Sequence, residues 1–182
     1  GVLRIKRYHE PRYDPRPRSL RDMLDELDAL LTDSVKLRLR ADVPVGGYLS
    51  GGLDSTIACT LSAAASPHQL RTFSVAFDDP TLDERVHQNA VASKLGSLHI
   101  ARVIGGSDVA ELFPHVIRHL ETPVVRTAAA PLFALSRLTR DNGIKVVLTG
   151  EGSDELFLGY DLFKEVVVRR FCLRQPNSRI RP

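Results

Sequence analysis

Four short, mostly apolar runs, separated by segments with a helical pattern, constrain the fold of this chain most strongly. The runs comprise residues 43–49, 70–77, 98–104 and 144–148. They lack the clean alternation of apolar and polar residues that marks a strand with one face in water. Runs of this kind are typical of parallel strands buried on both faces. The sequence therefore predicts an α/β fold, a parallel sheet with helices on both faces.

The segments between and around these runs carry helical spacing and capping signals. Helices are expected at 20–35, 56–65, 83–95, 107–120, 132–140 and 153–168. Ser19, Ser107 and Ser153 are expected to be N-caps, because a serine hydroxyl can accept a hydrogen bond from a free N–H of the first turn. Asn142-Gly143 is expected to end the helix that precedes the fourth run.

Charge and cysteine content exclude several classes of protein. The net charge is +3, but residues 41–163 carry nine Lys/Arg against fourteen Asp/Glu, so we expect no basic nucleic-acid-binding face on the body. Cys59 and Cys172 lie 113 positions apart without a CxxC motif, which argues against a disulfide scaffold or a zinc site. No apolar run reaches the roughly 18 residues of a membrane helix. We therefore expect a cytoplasmic protein with no membrane or nucleic-acid partner.

The two ends of the chain differ in composition from its centre. The chain begins with Gly rather than Met, and residues 1–18 hold three prolines among charged side chains, which is typical of a linker. Residues 169–182 form a basic tail that stops at Arg181-Pro182. We expect the domain to span 19–168 and the chain to be a fragment of a longer protein.

The segment Ser50-Gly51-Gly52-Leu53-Asp54-Ser55 directly follows the first run. Two glycines allow the backbone to turn sharply and to bring N–H groups against an anion. The helix that follows directs its positive end to the same place. A carboxylate at Asp54 would repel a phosphate, so its presence indicates that Mg²⁺ lies between the two. The alternative is an ordinary turn in which Asp54 or Ser55 only caps the helix.

A second polar segment, Thr149-Gly150-Glu151-Gly152-Ser153-Asp154-Glu155, follows the fourth run. Its three carboxylates fall within five residues at a strand end, where open α/β sheets bind their ligands. Beside a phosphate loop, they indicate metal ligation or acid–base chemistry. The alternative is an acidic helix N-terminus whose side chains only complement the helix dipole.

The first segment resembles the pyrophosphate-binding loop of the ATP pyrophosphatases, or PP-loop family, and it lacks the spaced GK[ST] of a Walker A motif. Taken together, LSGGLDS (49–55) and GEGSDELF with Gly159-Tyr160 resemble the C-terminal synthetase domain of glutamine-hydrolysing asparagine synthetases, which the related β-lactam synthetases share. The resemblance runs from about residue 20 to 164 and includes 71–79 and 119–137. It implies the adenine-nucleotide α-hydrolase-like fold of that family.

The resemblance also implies a set of site residues. Main-chain contacts to adenine are implied at Leu49 and Val75, and a position near the adenylate at Gly150. The implied pyrophosphate loop consists of Ser50, Gly51, Gly52, Asp54 and Ser55. The implied Mg²⁺ ligands are Asp54 and Asp154, and Glu151 matches a catalytic glutamate near the acyl-adenylate and the incoming ammonia.

The function implied by the resemblance is that of an ATP-dependent amide ligase. Aspartate would react with ATP and Mg²⁺ to give β-aspartyl-AMP and pyrophosphate, and ammonia would then release AMP and asparagine. The ammonia would come from glutamine, through a glutaminase domain to which residues 1–18 would be the linker. The full-length protein would be a homodimer.

The sequence departs from the family pattern in three places. It contains neither the family's Cys-led glutaminase domain nor its late catalytic lysine, so we expect the chain alone to be incomplete. Residues 121–131 are shorter than the matching loop of bacterial asparagine synthetases, and Arg126 either faces an anionic group or is a solvated charge. The alternatives are an adenylating amidotransferase or β-lactam-synthetase-like enzyme with another acceptor, and an inactive nucleotide-binding fragment.

Overall fold

The structure, a computed structural model, describes residues 3–10, 12 and 14–174. Its strands are β1 Val45–Tyr48, β2 Arg71–Phe77, β3 Leu98–Ile104 and β4 Val146–Leu148. Its helices are α1 Leu20–Arg38, α2 Leu53–Ala65, α3 Arg85–Leu95, α4 Gly106–Leu120, α5 Ala129–Asp141, α6 Ser153–Phe157 and α7 Asp161–Leu173.

The four strands form one sheet in the order β3-β2-β1-β4, and every neighbouring pair is parallel. The chain builds outward from β1 to β3 and then returns through α4 and α5 to place β4 on the other side of β1. The strand order therefore reverses between β1 and β4. In open α/β sheets, a crevice for ligands opens at such a reversal, beyond the carboxyl ends of the strands.

Buried apolar clusters lie on both faces of the sheet, as predicted. Because side chains alternate along a strand, Val75 and Phe77 of β2 lie on the face opposite to Leu70. The first face packs against a cluster from β3, α4 and α5 that consists of Ile104, Leu112, Val116, Ala130 and Ala134. The second packs against a cluster that consists of Leu49, Cys59, Leu70 and Ala92. The predicted parallel sheet between two layers of helices is confirmed.

The final helix differs from its prediction over 153–168. Helix α6 ends at Phe157, Leu158 adopts a left-handed conformation with φ of 60°, and α7 begins at Asp161 and continues to Leu173. The Asp154 carboxylate packs so closely against Gly159 that a Cβ there would overlap it, and the chain turns at this glycine between α6 and α7. The single helix was therefore wrong, and the rest of the predicted tail, residues 175–182, lies outside the described residues.

One of the three predicted serine caps is confirmed. The Ser19 hydroxyl accepts a hydrogen bond from the Asp22 N–H at 3.1 Å. At α4, Gly105 is the N-cap, and its N–H donates to the Asp108 carboxylate at 2.9 Å, so the side chain that stabilises this end is not Ser107. At α6, Gly152 takes the cap position with φ of 94°, which leaves Ser153 as the first helical residue.

Candidate active site

A cleft of about 670 Å³ opens at the carboxyl ends of β1, β2 and β4. Nine of the ten predicted site residues line it. They are Leu49, Ser50, Gly52, Asp54, Ser55, Val75, Gly150, Glu151 and Asp154. The tenth, Gly51, lies behind the loop rather than on the cleft wall. The two predicted loops, although about a hundred residues apart in sequence, therefore face one space.

The loop after β1 is held in shape by its own serines. The hydroxyl oxygens of Ser50 and Ser55 lie 2.9 Å apart, and the Ser55 hydroxyl also accepts a hydrogen bond from the Ser50 N–H at 3.2 Å. The Gly52 N–H donates to the Ser50 hydroxyl at 3.2 Å. Gly52 is the N-cap of α2 and has no side chain to satisfy the first N–H groups of that helix. Such an uncapped helix start is suited to an anion.

Gly51 is required by its conformation and by its surroundings. Its φ is 89°, a left-handed value that favours glycine. A Cβ at this position would lie 3.0 Å from the His87 Cβ and 3.2 Å from the Gln88 backbone nitrogen. Helix α3 therefore packs directly against the back of the loop at Gly51 and fixes the turn from outside the cleft.

The loop after β4 contacts the first loop backbone to backbone. A Cβ on Gly150 would lie 2.8 Å from the Ser55 backbone nitrogen, closer than real Cβ atoms approach. The next residue, Glu151, is exposed in the cleft, and its N–H donates to the Thr149 hydroxyl at 3.3 Å. The glycine thus brings the Glu151 carboxylate and the start of α2 into the same site.

The charged side chains that line the cleft, among the described residues, are all acidic. They are Asp54, Glu84, Glu151, Asp154 and Glu155. A triphosphate in this space would be repelled by the carboxylates unless a cation lay between them. Mg²⁺ fits this donor set, because it binds through one or two carboxylates together with substrate phosphates and water. Within 3–10, 12 and 14–174, no group of three His, Cys, Asp or Glu side chains could hold a metal alone.

The main chain of Leu49 is already bonded within the sheet. Its N–H donates to the Phe73 carbonyl at 3.0 Å, and its carbonyl accepts a hydrogen bond from the Ser74 hydroxyl. A carbonyl oxygen has two lone pairs, so the Leu49 carbonyl keeps one for a ligand. The Val75 carbonyl, at the end of β2, is likewise engaged once, by the Gln88 side chain at 3.1 Å.

Polar side chains outside the ten predicted site residues also line the cleft, among them Gln88 and Tyr160. Gln88 of α3 is buried, and its amide donates to the Val75 carbonyl of β2 and to the Ser50 carbonyl just beyond β1. The burial of Gln88 could have been predicted from its spacing, because it lies four residues before Ala92 and seven before Leu95, on the buried stripe of α3. The hydroxyl of Tyr160 donates to the Glu155 carboxylate at 2.8 Å. This bond raises the pKa of Tyr160 above its ordinary value, as do the negative charges of Asp154 and Glu151.

Helix α5 supplies an apolar wall opposite the acidic loops. The lining residues from this part of the chain are Ala128, Pro131, Leu132, Leu135 and Ser136. Arg126 lies in the exposed segment before α5 and does not line the cleft. This placement favours the alternative in which Arg126 is a solvated charge over the one in which it faces an anionic group.

No helix within the described part of the chain is both long and apolar enough to cross a membrane. Cys59 and Cys172 are both free thiols, the first buried and the second partly exposed.

Comparison with solved structures defines the class of fold. A glutamine-dependent NAD⁺ synthetase from Acinetobacter baumannii, solved in complex with ADP, superimposes with a TM-score of 0.54 at 19% identity. The match covers 81% of this chain and 29% of that one. The parallel sheet, the glycine-rich loop after β1 and this likeness define an α/β domain of the PP-loop, adenine-nucleotide α-hydrolase type.

Sequence comparison then gives the family. The asparagine synthase family model matches residues 26–181, and the chain belongs to that family. Asparagine synthetase [glutamine-hydrolyzing] 1 of Bacillus subtilis is 32% identical over 178 residues, 98% of this chain and 28% of that protein. Asparagine synthetase B [glutamine-hydrolyzing] of Escherichia coli is 36% identical over 154 residues, 76% of this chain and 27% of that protein. The chain spans about a quarter of the length of the curated relatives it matches.

Proposed function

We propose that this chain is the ATP-binding part of an amide ligase that activates a carboxylic acid as its adenylate and transfers it to ammonia. The observation that carries the proposal is the meeting of two loops in one cleft. Residues 50–55 supply an uncapped helix start for pyrophosphate, and residues 149–155 supply carboxylates for metal and acid–base roles. Membership of the asparagine synthase family makes aspartate the first substrate to test.

The first half-reaction needs the nucleotide to be held so that pyrophosphate can leave. A carboxylate oxygen of the acid attacks the α-phosphorus, and the bond from that phosphorus to the bridging oxygen breaks. The Ser50 and Ser55 hydroxyls and the first N–H groups of α2 stabilise the charge on the departing pyrophosphate. The carbonyls of Leu49 and Val75 accept hydrogen bonds from the base and thereby fix the nucleotide's position.

Mg²⁺ would be held by Asp54 and Asp154, and when bound it would neutralise the phosphate oxygens that these carboxylates face. Both side chains are half-buried, and each lies in the first turn of its helix. The backbone of Gly150 adjoins Asp54, so the two helix starts are close neighbours.

The second half-reaction joins ammonia to the activated acyl group. Ammonia attacks the acyl carbon, AMP leaves, and the nitrogen must lose a proton. Glu151 is an exposed carboxylate in the cleft and is the side chain proposed to accept that proton. Ammonia derived from glutamine would be supplied by the glutaminase half of the longer protein.

Calorimetry with ATP and Mg²⁺ tests the nucleotide site directly. We expect saturable heat from the folded chain, and weaker binding of ATP when EDTA removes the metal. An absence of saturable heat from a chain shown by circular dichroism to be folded would contradict the proposal.

The acyl substrate is tested with the full-length protein of which this chain is a part. Aspartate and a panel of other carboxylates are incubated with ATP, Mg²⁺ and ammonium, and AMP and amide products are separated by chromatography. Asparagine as the main product supports an asparagine synthetase. AMP formation with another acid alone would favour the β-lactam-synthetase-like or amidotransferase alternative, and no AMP with any acid would favour an inactive nucleotide-binding domain.

A further inference from the structure

We propose that Gln88 is a positioning residue for the nucleotide base, which holds the Val75 carbonyl in place and thereby contributes to the selection of adenine over hypoxanthine. The inference rests on the proposed function, because it takes the cleft to bind an adenine nucleotide. It concerns a side chain of α3 that is outside both loops.

Gln88 is buried where a helix would ordinarily place an apolar residue. It is 2% exposed and lies on the same face of α3 as Ala92, which is also buried. Its backbone nitrogen and Cγ lie against Gly51, so the residue also backs the pyrophosphate loop. An amide in such a position needs hydrogen-bond partners, because burying one without them costs free energy.

The amide nitrogen of Gln88 finds its partners at the ends of two neighbouring strands. It donates to the Val75 carbonyl at 3.1 Å and to the Ser50 carbonyl at 3.4 Å. The backbone ladder between β1 and β2 finishes just before this point, with the Leu49 N–H on the Phe73 carbonyl. Gln88 therefore continues the connection between the strands beyond the last backbone bond.

The amide oxygen of Gln88 is buried and has no hydrogen-bond partner among the described residues. An unpartnered buried acceptor is destabilising, so packing and stability alone would favour leucine or methionine at this position. Glutamine is better explained by what its nitrogen does, which is to orient two carbonyls at the cleft. Of the two bonds, the shorter is to Val75.

A fixed Val75 carbonyl discriminates between purine bases by chemistry. It presents one remaining lone pair toward the cleft, and that lone pair can accept a hydrogen bond from the 6-amino group of adenine. Hypoxanthine carries a 6-oxo group, an acceptor that a carbonyl repels. When the carbonyl is no longer held, water can satisfy it and the preference for the amino group falls.

The test is calorimetry of AMP, inosine monophosphate and pyrophosphate with the wild-type chain and with Gln88→Met. Methionine has nearly the same size but no donor. We expect the affinity for AMP to fall about tenfold, which is the contribution of one hydrogen bond, while the affinities for inosine monophosphate and pyrophosphate change by less than about twofold. A purely structural role would weaken AMP and inosine monophosphate equally and leave their ratio unchanged, which would overturn the inference.

Two further variants distinguish an effect on base selection in the cleft from a general effect of losing a glutamine amide. Gln69→Met is the matched control, because the Gln69 amide donates to the Gly96 carbonyl at 2.7 Å, outside the cleft lining. We expect it to leave the AMP to inosine monophosphate ratio unchanged. Gln88→Leu also removes the donor and suits a buried position, and we expect it to lower the ratio as methionine does.

A measurement on the wild-type chain covers the case in which neither Gln88 variant folds. The side-chain amide protons of Gln88 should shift in NMR spectra on addition of AMP, and by more than on addition of pyrophosphate. Unchanged resonances with bound AMP would overturn the inference and leave the proposed function standing. A wild-type chain that binds neither AMP nor pyrophosphate would overturn both.

Discussion

Gly150 and Asp54 touch through their backbones, although 96 positions separate them in the sequence. A Cβ on Gly150 would lie 2.9 Å from both the carbonyl carbon and the Cβ of Asp54. The absence of a side chain at Gly150 therefore sets the distance between the two loops, and with it the width of the cleft. The predicted phosphate loop and the predicted acidic loop form one site because of this contact.

Gly150→Ala should separate the two loops. Either the β4 loop or the start of α2 must shift to relieve the contact, at a cost of about 1–3 kcal/mol of folding stability. We expect ATP affinity to fall at least about tenfold, because pyrophosphate then contacts only one loop well. Calorimetry and urea denaturation measure the two effects. Gly106→Ala is the control, since a Cβ there meets nothing within 4 Å, and it should leave ATP affinity unchanged without lowering stability.

Asp54→Asn and Asp154→Asn should each weaken binding of ATP with Mg²⁺ much more than binding of AMP. The amide keeps the shape of the side chain but loses the charge that, under the proposed function, would hold Mg²⁺ together with phosphates that AMP lacks. A loss of about tenfold or more for ATP with Mg²⁺, measured by calorimetry, is expected. Asp161→Asn, an exposed acid in the first turn of α7, is the control. Equal losses for both nucleotides would show that the two aspartates only complement the dipoles of their helices.

Because of His99, folding stability should fall as the pH drops below the ordinary histidine pKa of about 6.5. Burial lowers the pKa of His99, and its Nδ1 lies 3.0 Å from the Thr72 hydroxyl while its Nε2 has no partner among the described residues. The unfolded chain takes up a proton near pH 6.5 and the folded chain only at lower pH, so stability is lost as the pH falls through that window.

Urea midpoints measured from pH 7.5 to 5 test this effect. We expect His99→Gln to flatten the dependence relative to the wild type. His68→Gln is the control, because His68 is exposed, and it should leave the slope unchanged. An identical slope for wild type and His99→Gln would assign the effect to other groups.

The two thiols should differ in reactivity. Cys59 is 1% exposed, and burial raises its pKa to about 11, so at pH 8 it is a protonated, inaccessible thiol. Cys172 is partly exposed on α7. Mass spectrometry after iodoacetamide treatment should find one modified residue, Cys172, in the folded chain and both after denaturation. Modification of Cys59 at a similar rate would mean that the buried cluster of Leu49, Cys59, Leu70 and Ala92 opens readily.

Much of the fold and most of the candidate site could be predicted from local sequence. The apolar runs located all four strands, and the bounds of most elements moved by no more than three residues. The β1 and β4 loops were predicted as site segments because glycines and acids follow directly after strands, and parallel strands bring such loops to one edge. The roles of the individual residues were implied by the resemblance to the asparagine synthetases.

The remaining features depend on contacts that no local pattern encodes. The break between α6 and α7 arises where Gly159 packs against Asp154, and the glycine alone, which single helices also tolerate, did not locate it. Gln88 enters the cleft wall from a helix between β2 and β3, and only the assembled sheet shows that its amide reaches Ser50 and Val75. These are tertiary relationships, which secondary-structure signals do not specify.

The acidic loop begins at the end of β4, a three-residue strand that pairs, within the described sheet, with β1 alone. Edge elements with few partners open at a lower free energy than central strands, so the amide protons of β4 should exchange with solvent sooner than those of β2. A nucleotide that contacts both loops would connect the edge strand β4 to β1 and would make β4 harder to open. Slower hydrogen exchange in β4 would then report an occupied cleft without any measurement of catalysis.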